Sequence, residues 1–130
     1  MADLEFKSPK DGSVLAFTLI RKTSKGETDF EVAVKTPGFT GIALASTYFA
    51  GSPGTLFRAM ADEWQGWKEP KEWKDLEARV AFSAQSDSTG HIKLSVELTG
   101  QDYDSHLRVV LQYEAGQLEG MADDIAQLLG

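Results

Sequence analysis

The feature that most constrains this chain is a strict two-residue alternation of apolar and polar side chains across residues 76–98. Leu76, Ala78, Val80, Phe82 and Ala84 alternate with Glu77, Arg79, Ala81, Ser83 and Gln85. After Asp87-Ser88-Thr89-Gly90, Ile92, Leu94, Val96 and Leu98 alternate with His91, Lys93, Ser95, Glu97 and Thr99. Successive side chains of a strand point to opposite faces, so this pattern predicts an antiparallel hairpin with one greasy and one wet face. Leu107, Val109, Leu111 and Tyr113 repeat it in a third strand. A sheet with one apolar face needs a cover, and that requirement shapes the rest of the reading.

Upstream, Ser13–Arg21 is rich in strand formers, and Phe30, Val32 and Val34 alternate with Glu31 and Lys35. A strand over Thr40–Tyr48 is expected to turn Ile42 and Leu44 to one face, with Gly41, Ala43, Ala45 and Ser46 small enough for a helix to lie close. Leu4 and Phe6 precede the Ser8–Gly12 turn, so residues 1–10 read as a partly disordered stretch or a short edge strand. The period then changes. Ser52-Pro53 opens a helix with Leu56, Phe57, Met60, Ala61 and Trp64 on one stripe and Gly66 as its stop. Residues 67–74 read as a polar linker. The last segment sets Leu118, Met121, Ile125, Leu128 and Leu129 on one helical face.

The expected architecture is therefore a single α+β domain over residues 1–130, in the order strands, helix, three strands, helix. It has one antiparallel sheet of five to seven strands with both helices packed on one face. Each half is three strands followed by a helix, which raises an internal structural duplication.

Composition narrows the chemistry. The chain has no cysteine, which excludes disulfides, thiolate nucleophiles and Cys-based metal sites. Twenty Asp and Glu against thirteen Lys and Arg give a net charge of -7, which disfavours nucleic acid and anionic membranes as partners. No apolar run reaches the roughly 18 residues of a membrane span, and the N-terminus lacks a signal-peptide pattern, so a cytoplasmic location is expected.

Asp102, Asp104 and His106 alternate in sequence and are weak candidates for a metal site; as loop residues they read first as solvated. His91, beside Asp87 and the Thr89-Gly90 turn, reads as a turn cap. No serine sits in a nucleophile elbow, and Gly51–Thr55 lacks the ending of a phosphate-binding loop. No catalytic residue, cofactor or metal is assigned. Trp64, Trp67 and Trp73 lie within ten residues of one another, and Trp67 and Trp73 with Glu69 and Glu72 form the candidate partner-binding set. Trp73 is expected to find a hydrogen-bond acceptor in a carboxylate such as Glu77.

Trp64-Gln65-Gly66-Trp67, Trp73-Lys74-Asp75-Leu76-Glu77 and Gly90-His91-Ile92 together resemble the hallmarks of a family of small bacterial domains of unknown function: Trp-x-Gly-Trp, Trp-x-Ser-Leu-Glu and Gly-His-Val/Ile. Asp75 stands where that pattern has Ser. The resemblance runs from about Phe30 to Gly130 and includes Glu114–Leu118. It implies Gly66, Trp67, Trp73, Leu76, Glu77, Gly90 and His91 as hallmark positions with structural roles. Size and acidity add a loose association with immunity proteins, which neutralise toxins by binding them. The expected function is a non-enzymatic module that binds another protein. The alternatives are a small-ligand binder or enzyme with a pocket between sheet and helices, and a homodimeric assembly protein whose sheet edges pair.

Overall fold

A computed structural model describes residues 2–130. Four strands, β1 (Leu4–Lys7), β2 (Val14–Lys22), β3 (Thr28–Lys35) and β4 (Thr40–Ser46), form one antiparallel meander in sequence order. The helix α1 (Gly54–Asp62) follows. Four more strands, β5 (Lys71–Lys74), β6 (Val80–Ser86), β7 (His91–Thr99) and β8 (His106–Glu114), form a second meander. A short 3-10 turn at Ala115–Gln117 leads into α2 (Leu118–Leu129).

The expected single sheet of five to seven strands is thus incorrect; there are two separate sheets of four strands each. Two causes account for the difference. The first strand of the second sheet, Lys-Glu-Trp-Lys, carries one apolar residue among charges and shows no period, so residues 67–74 read as a linker. Alternation also reveals which face of a strand is buried without revealing what lies against it. Each half is four strands and a helix, one strand more per half than the sequence pattern suggests.

The cover also differs from expectation. Both sheets and both helices feed one buried cluster. Phe17 of β2 meets Phe82 of β6 at 6.1 Å between ring centroids, so the apolar sides of the two sheets face a common interior. Phe57 of α1 reaches Phe6, Phe17 and Phe82. Each helix contacts the first strand of the opposite half, α1 on β5 and α2 on β1. The helices therefore bridge two sheets rather than roofing one. They also pack on each other, and Arg58 joins them through Glu119 at 3.2 Å and Asp123 at 2.6 Å.

On β4 Ile42 and Leu44 share one face, as the alternation predicts, and that face is the exposed one, while Ala43 and Ala45 are buried. The small residues do allow a close approach, but of the second sheet rather than a helix. A Cβ added at Gly41 would collide with Leu107 and lie 3.3 Å from Leu98. The first helix is shorter than its stripe suggests: it ends at Asp62, leaving Trp64 57% exposed. Ser52 accepts the Gly54 N–H at 3.0 Å and donates to the Gly130 carbonyl at 2.6 Å, which ties the start of α1 to the end of α2.

Candidate functional site

The second sheet's first hairpin turn builds one wall of a large surface groove. The alternation of residues 76–98 suggests a strand beginning at Leu76, but β6 starts only at Val80. Between β5 and β6 the chain turns back on itself. The Asp75 N–H donates to the Val80 carbonyl at 3.2 Å, and Ala78 sits in the left-handed region at φ 56°. Asp75 holds this turn by accepting the N–H groups of Arg79 and Val80 on Oδ1, at 2.8 and 3.1 Å. Burial raises its carboxyl above the ordinary carboxylate range, and the two amides offset part of that. The turn leaves Leu76 outside the core, 61% exposed.

The opposite wall comes from the first sheet. Ile20 of β2 lies on the outer face, 56% exposed, and a slip in the pairing of β2 with β3 between Leu19 and Arg21 turns Arg21 outward as well, opposite Asp29. Bulges commonly re-aim a side chain in this way. Leu44 on the outer face of β4 and Tyr48 just beyond it complete the apolar lining. The groove encloses about 690 Å³ between the sheet ends and the β5–β6 turn.

Its rim is charged but largely self-paired. Arg21 bonds Asp29 at 2.7 Å. Arg79 pairs with Glu77 at 3.2 Å and lies 5.3 Å from the centroid of the Tyr103 ring, whose hydroxyl donates to Glu77 at 3.3 Å. Glu77 therefore serves Arg79 and Tyr103. Trp73, expected to bond a carboxylate, instead donates to the Gly51 carbonyl at 3.3 Å.

The candidates from the sequence differ in exposure. Trp73 is buried, 5.7 Å from Phe82 and 6.2 Å from Phe30 between ring centroids, so it is core rather than partner surface. Trp67 is half-buried, donates to the Ala84 carbonyl at 3.0 Å and carries Lys71 above its ring at 5.4 Å. Glu69 and Glu72 are exposed. Gly66 takes a positive φ of 127° after α1, and Gly90 one of 85° in the β6–β7 turn. His91 lies at that turn with Nδ1 3.3 Å from Asp87 Oδ2, while Asp87 Oδ1 accepts the His91 N–H at 3.0 Å. The Thr89 hydroxyl, then the His91 and Thr89 amides, hold Asp87 well below its ordinary value.

Asp102 and Asp104 lie in the β7–β8 loop, where Asp102 accepts the Asp104 N–H at 3.0 Å; His106 starts β8 with Nδ1 3.2 Å from the Thr99 hydroxyl. Among the described residues no three His, Asp or Glu are grouped closely enough to hold a metal ion. No helix among them is long and apolar enough to cross a membrane.

The groove draws on two hallmark positions, Leu76 and Glu77, and on Ile20, Leu44 and Tyr48, which the sequence pattern does not single out. The available signal at Ile20 was a large apolar residue on the strand face opposite Leu15, Phe17 and Leu19. Chemically the arrangement can receive an apolar group and orient it with charges already in place. No curated protein matches the chain. The profile of one family, described as a family of unknown function (DUF6228), matches residues 6–130, and the chain belongs to that family.

Proposed function

We propose that this protein is a non-enzymatic binding module that engages another protein through the groove between the first sheet and the β5–β6 turn. The observation that carries the reading is the convergence of four exposed large side chains, Ile20, Leu44, Tyr48 and Leu76, on one concavity. Leaving such groups in water forgoes roughly 25 cal/mol for each Å² of apolar surface that burial would remove, and a partner recovers it. The rim leans acidic: Arg21 and Arg79 are paired with Asp29 and Glu77, which leaves Glu27 beyond them. An apolar side chain flanked by a lysine or arginine suits that rim, and charge complementarity favours its approach. Neutralising a partner by occupancy alone, as immunity proteins do, needs no chemistry beyond such a surface.

A small apolar ligand is the second reading, favoured by a volume inside the roughly 300–1,000 Å³ range of ligand sites. One comparison separates the two. Purified protein and its Ile20→Asp and Leu76→Asp variants are used to capture partners from native lysate. A protein retained by the wild type and lost by both variants supports the proposal. Equal recovery by all three, or no recovery alongside a thermal shift with apolar small molecules, would refute it.

A further inference from the structure

The four sheet edges are not protected equally. The outer strand β1 carries Glu5 and Lys7, β5 is a four-residue strand with Lys71, Glu72 and Lys74, and β8 carries Arg108 and Glu114. Charges, short length and irregularity are the usual devices that stop an edge from pairing with another chain. The remaining edge, β4, reads Thr-Gly-Ile-Ala-Leu-Ala-Ser, with no charge, no proline and no slip in its pairing with β3. Its outer face presents Ile42, 59% exposed, and Leu44.

We infer that a second copy of this chain pairs with the open edge of β4, antiparallel and centred on Ala43, joining two four-stranded sheets into one of eight. The strand is self-complementary in that register. Ile42 of each copy falls opposite Leu44 of the other, Gly41 opposite Ala45, and Thr40 opposite Ser46. Directly opposed apolar pairs are the unit of sheet stabilisation. A slip of one residue would set the core face of one copy against the outer face of the other. A slip of two would keep a single apolar pair, Ile42 on Ile42 or Leu44 on Leu44, and set the remaining Leu44 or Ile42 side chains against Thr40 or Ser46.

This register sets no like charges in the rows that flank the seam. Lys35 lies opposite Thr40 and Asp29 opposite Ser46 within one copy. The cross-strand row holding Lys35 of one copy thus continues into the row holding Asp29 of the other, with opposite sign. The contact belongs at the small end of specific interfaces. The dimer is therefore concentration-dependent, and salt strengthens it by screening the charge of -7 on each copy. This inference goes beyond the groove reading and does not depend on it, although Leu44 belongs to both surfaces, so that pairing covers one wall of the groove.

Sedimentation equilibrium over a wide concentration range tests it. The wild type is expected to pass from monomer to dimer, and Ile42→Lys to stay monomeric with the melting temperature of the dilute, monomeric wild type. The chain has no cysteine, so single cysteine variants report register cleanly. Residues directly opposed across an antiparallel pair lie within disulfide reach, at about 4.5–5.5 Å, whereas diagonal ones are near 7–8 Å. A mixture of Ile42→Cys and Leu44→Cys chains should oxidise to the mixed dimer, and neither alone should cross-link efficiently. A monomer at every concentration, a dimer that survives Ile42→Lys, or cross-linking without the mixed preference would overturn the inference. Leu76→Asp, which disables the groove, should leave the dimer intact; loss of the dimer there would place the interface at the groove and equally overturn the pairing.

Discussion

Replacing Phe57 by alanine tests whether α1 is the wedge that holds the two sheets on one core. The ring is fully buried and lies 5.5 Å from Phe6 of β1, 6.4 Å from Phe17 of β2 and 6.2 Å from Phe82 of β6, centroid to centroid. It therefore touches strands of both sheets at once. Truncation withdraws on the order of 150 Å² of buried aromatic surface, which at ~25 cal/mol per Å² is about 4 kcal/mol. That sits within the roughly 3–5 kcal/mol seen for such truncations, which include the cavity left behind. The unfolding entropy of a chain this long is about 0.27 kcal/mol per kelvin, so the melting temperature should fall by about 15 °C. Urea titration followed by tryptophan fluorescence is the assay, since Trp73 stacks on Phe82 beside the cavity. An unchanged m-value lets the midpoint shift be read as stability. Trp64→Ala, at an exposed position, is the control and should cost less than about 0.5 kcal/mol. A loss below about 1.5 kcal/mol at Phe57 would refute the wedge.

Other expectations concern the turn beside the groove and the helix ends. Asp75→Ala leaves the Arg79 and Val80 N–H groups without their acceptor and should cost about 1–3 kcal/mol by urea titration. Asp75→Asn keeps an acceptor and removes the charge. The folded Asp75 carboxyl titrates above its ordinary 3.8, so it binds its proton more tightly folded than unfolded. Its effect vanishes well below 3.8 and becomes a cost as pH rises through the folded value. The Asn variant should accordingly gain on the wild type as titrations move from about pH 3 to 7, and a flat difference would contradict the burial reading. At the helix ends, Gly54→Ala drives a Cβ into the Gly130 carbonyl and should cost about 1–3 kcal/mol as over-packing. Gly120→Ala in α2 meets nothing within 4 Å and should stabilise by about 0.5–1 kcal/mol in the same melts.

What the residues by themselves determined is local. Alternation located β3, β6, β7 and β8 and their buried faces, because a strand's period is set by its own backbone geometry. The stripe of Leu118, Met121, Ile125 and Leu129 located α2 and its buried side. The Asp87–His91 turn was legible too, since its partners are four residues apart. Tertiary structure decided the rest. Whether β5 extends the first sheet or starts a second depends on contacts across the chain, and Lys-Glu-Trp-Lys has too little period to mark a strand at all. Ile42 and Leu44 look like core residues by hydrophobicity, yet Ala43 and Ala45 face inward, on the side where Gly41 has no room for a Cβ beside Leu107 of the second sheet. The groove joins Ile20, Leu44 and Leu76, residues far apart in sequence that no local pattern connects. Such a surface exists only once both sheets and the turn at Asp75 are in place.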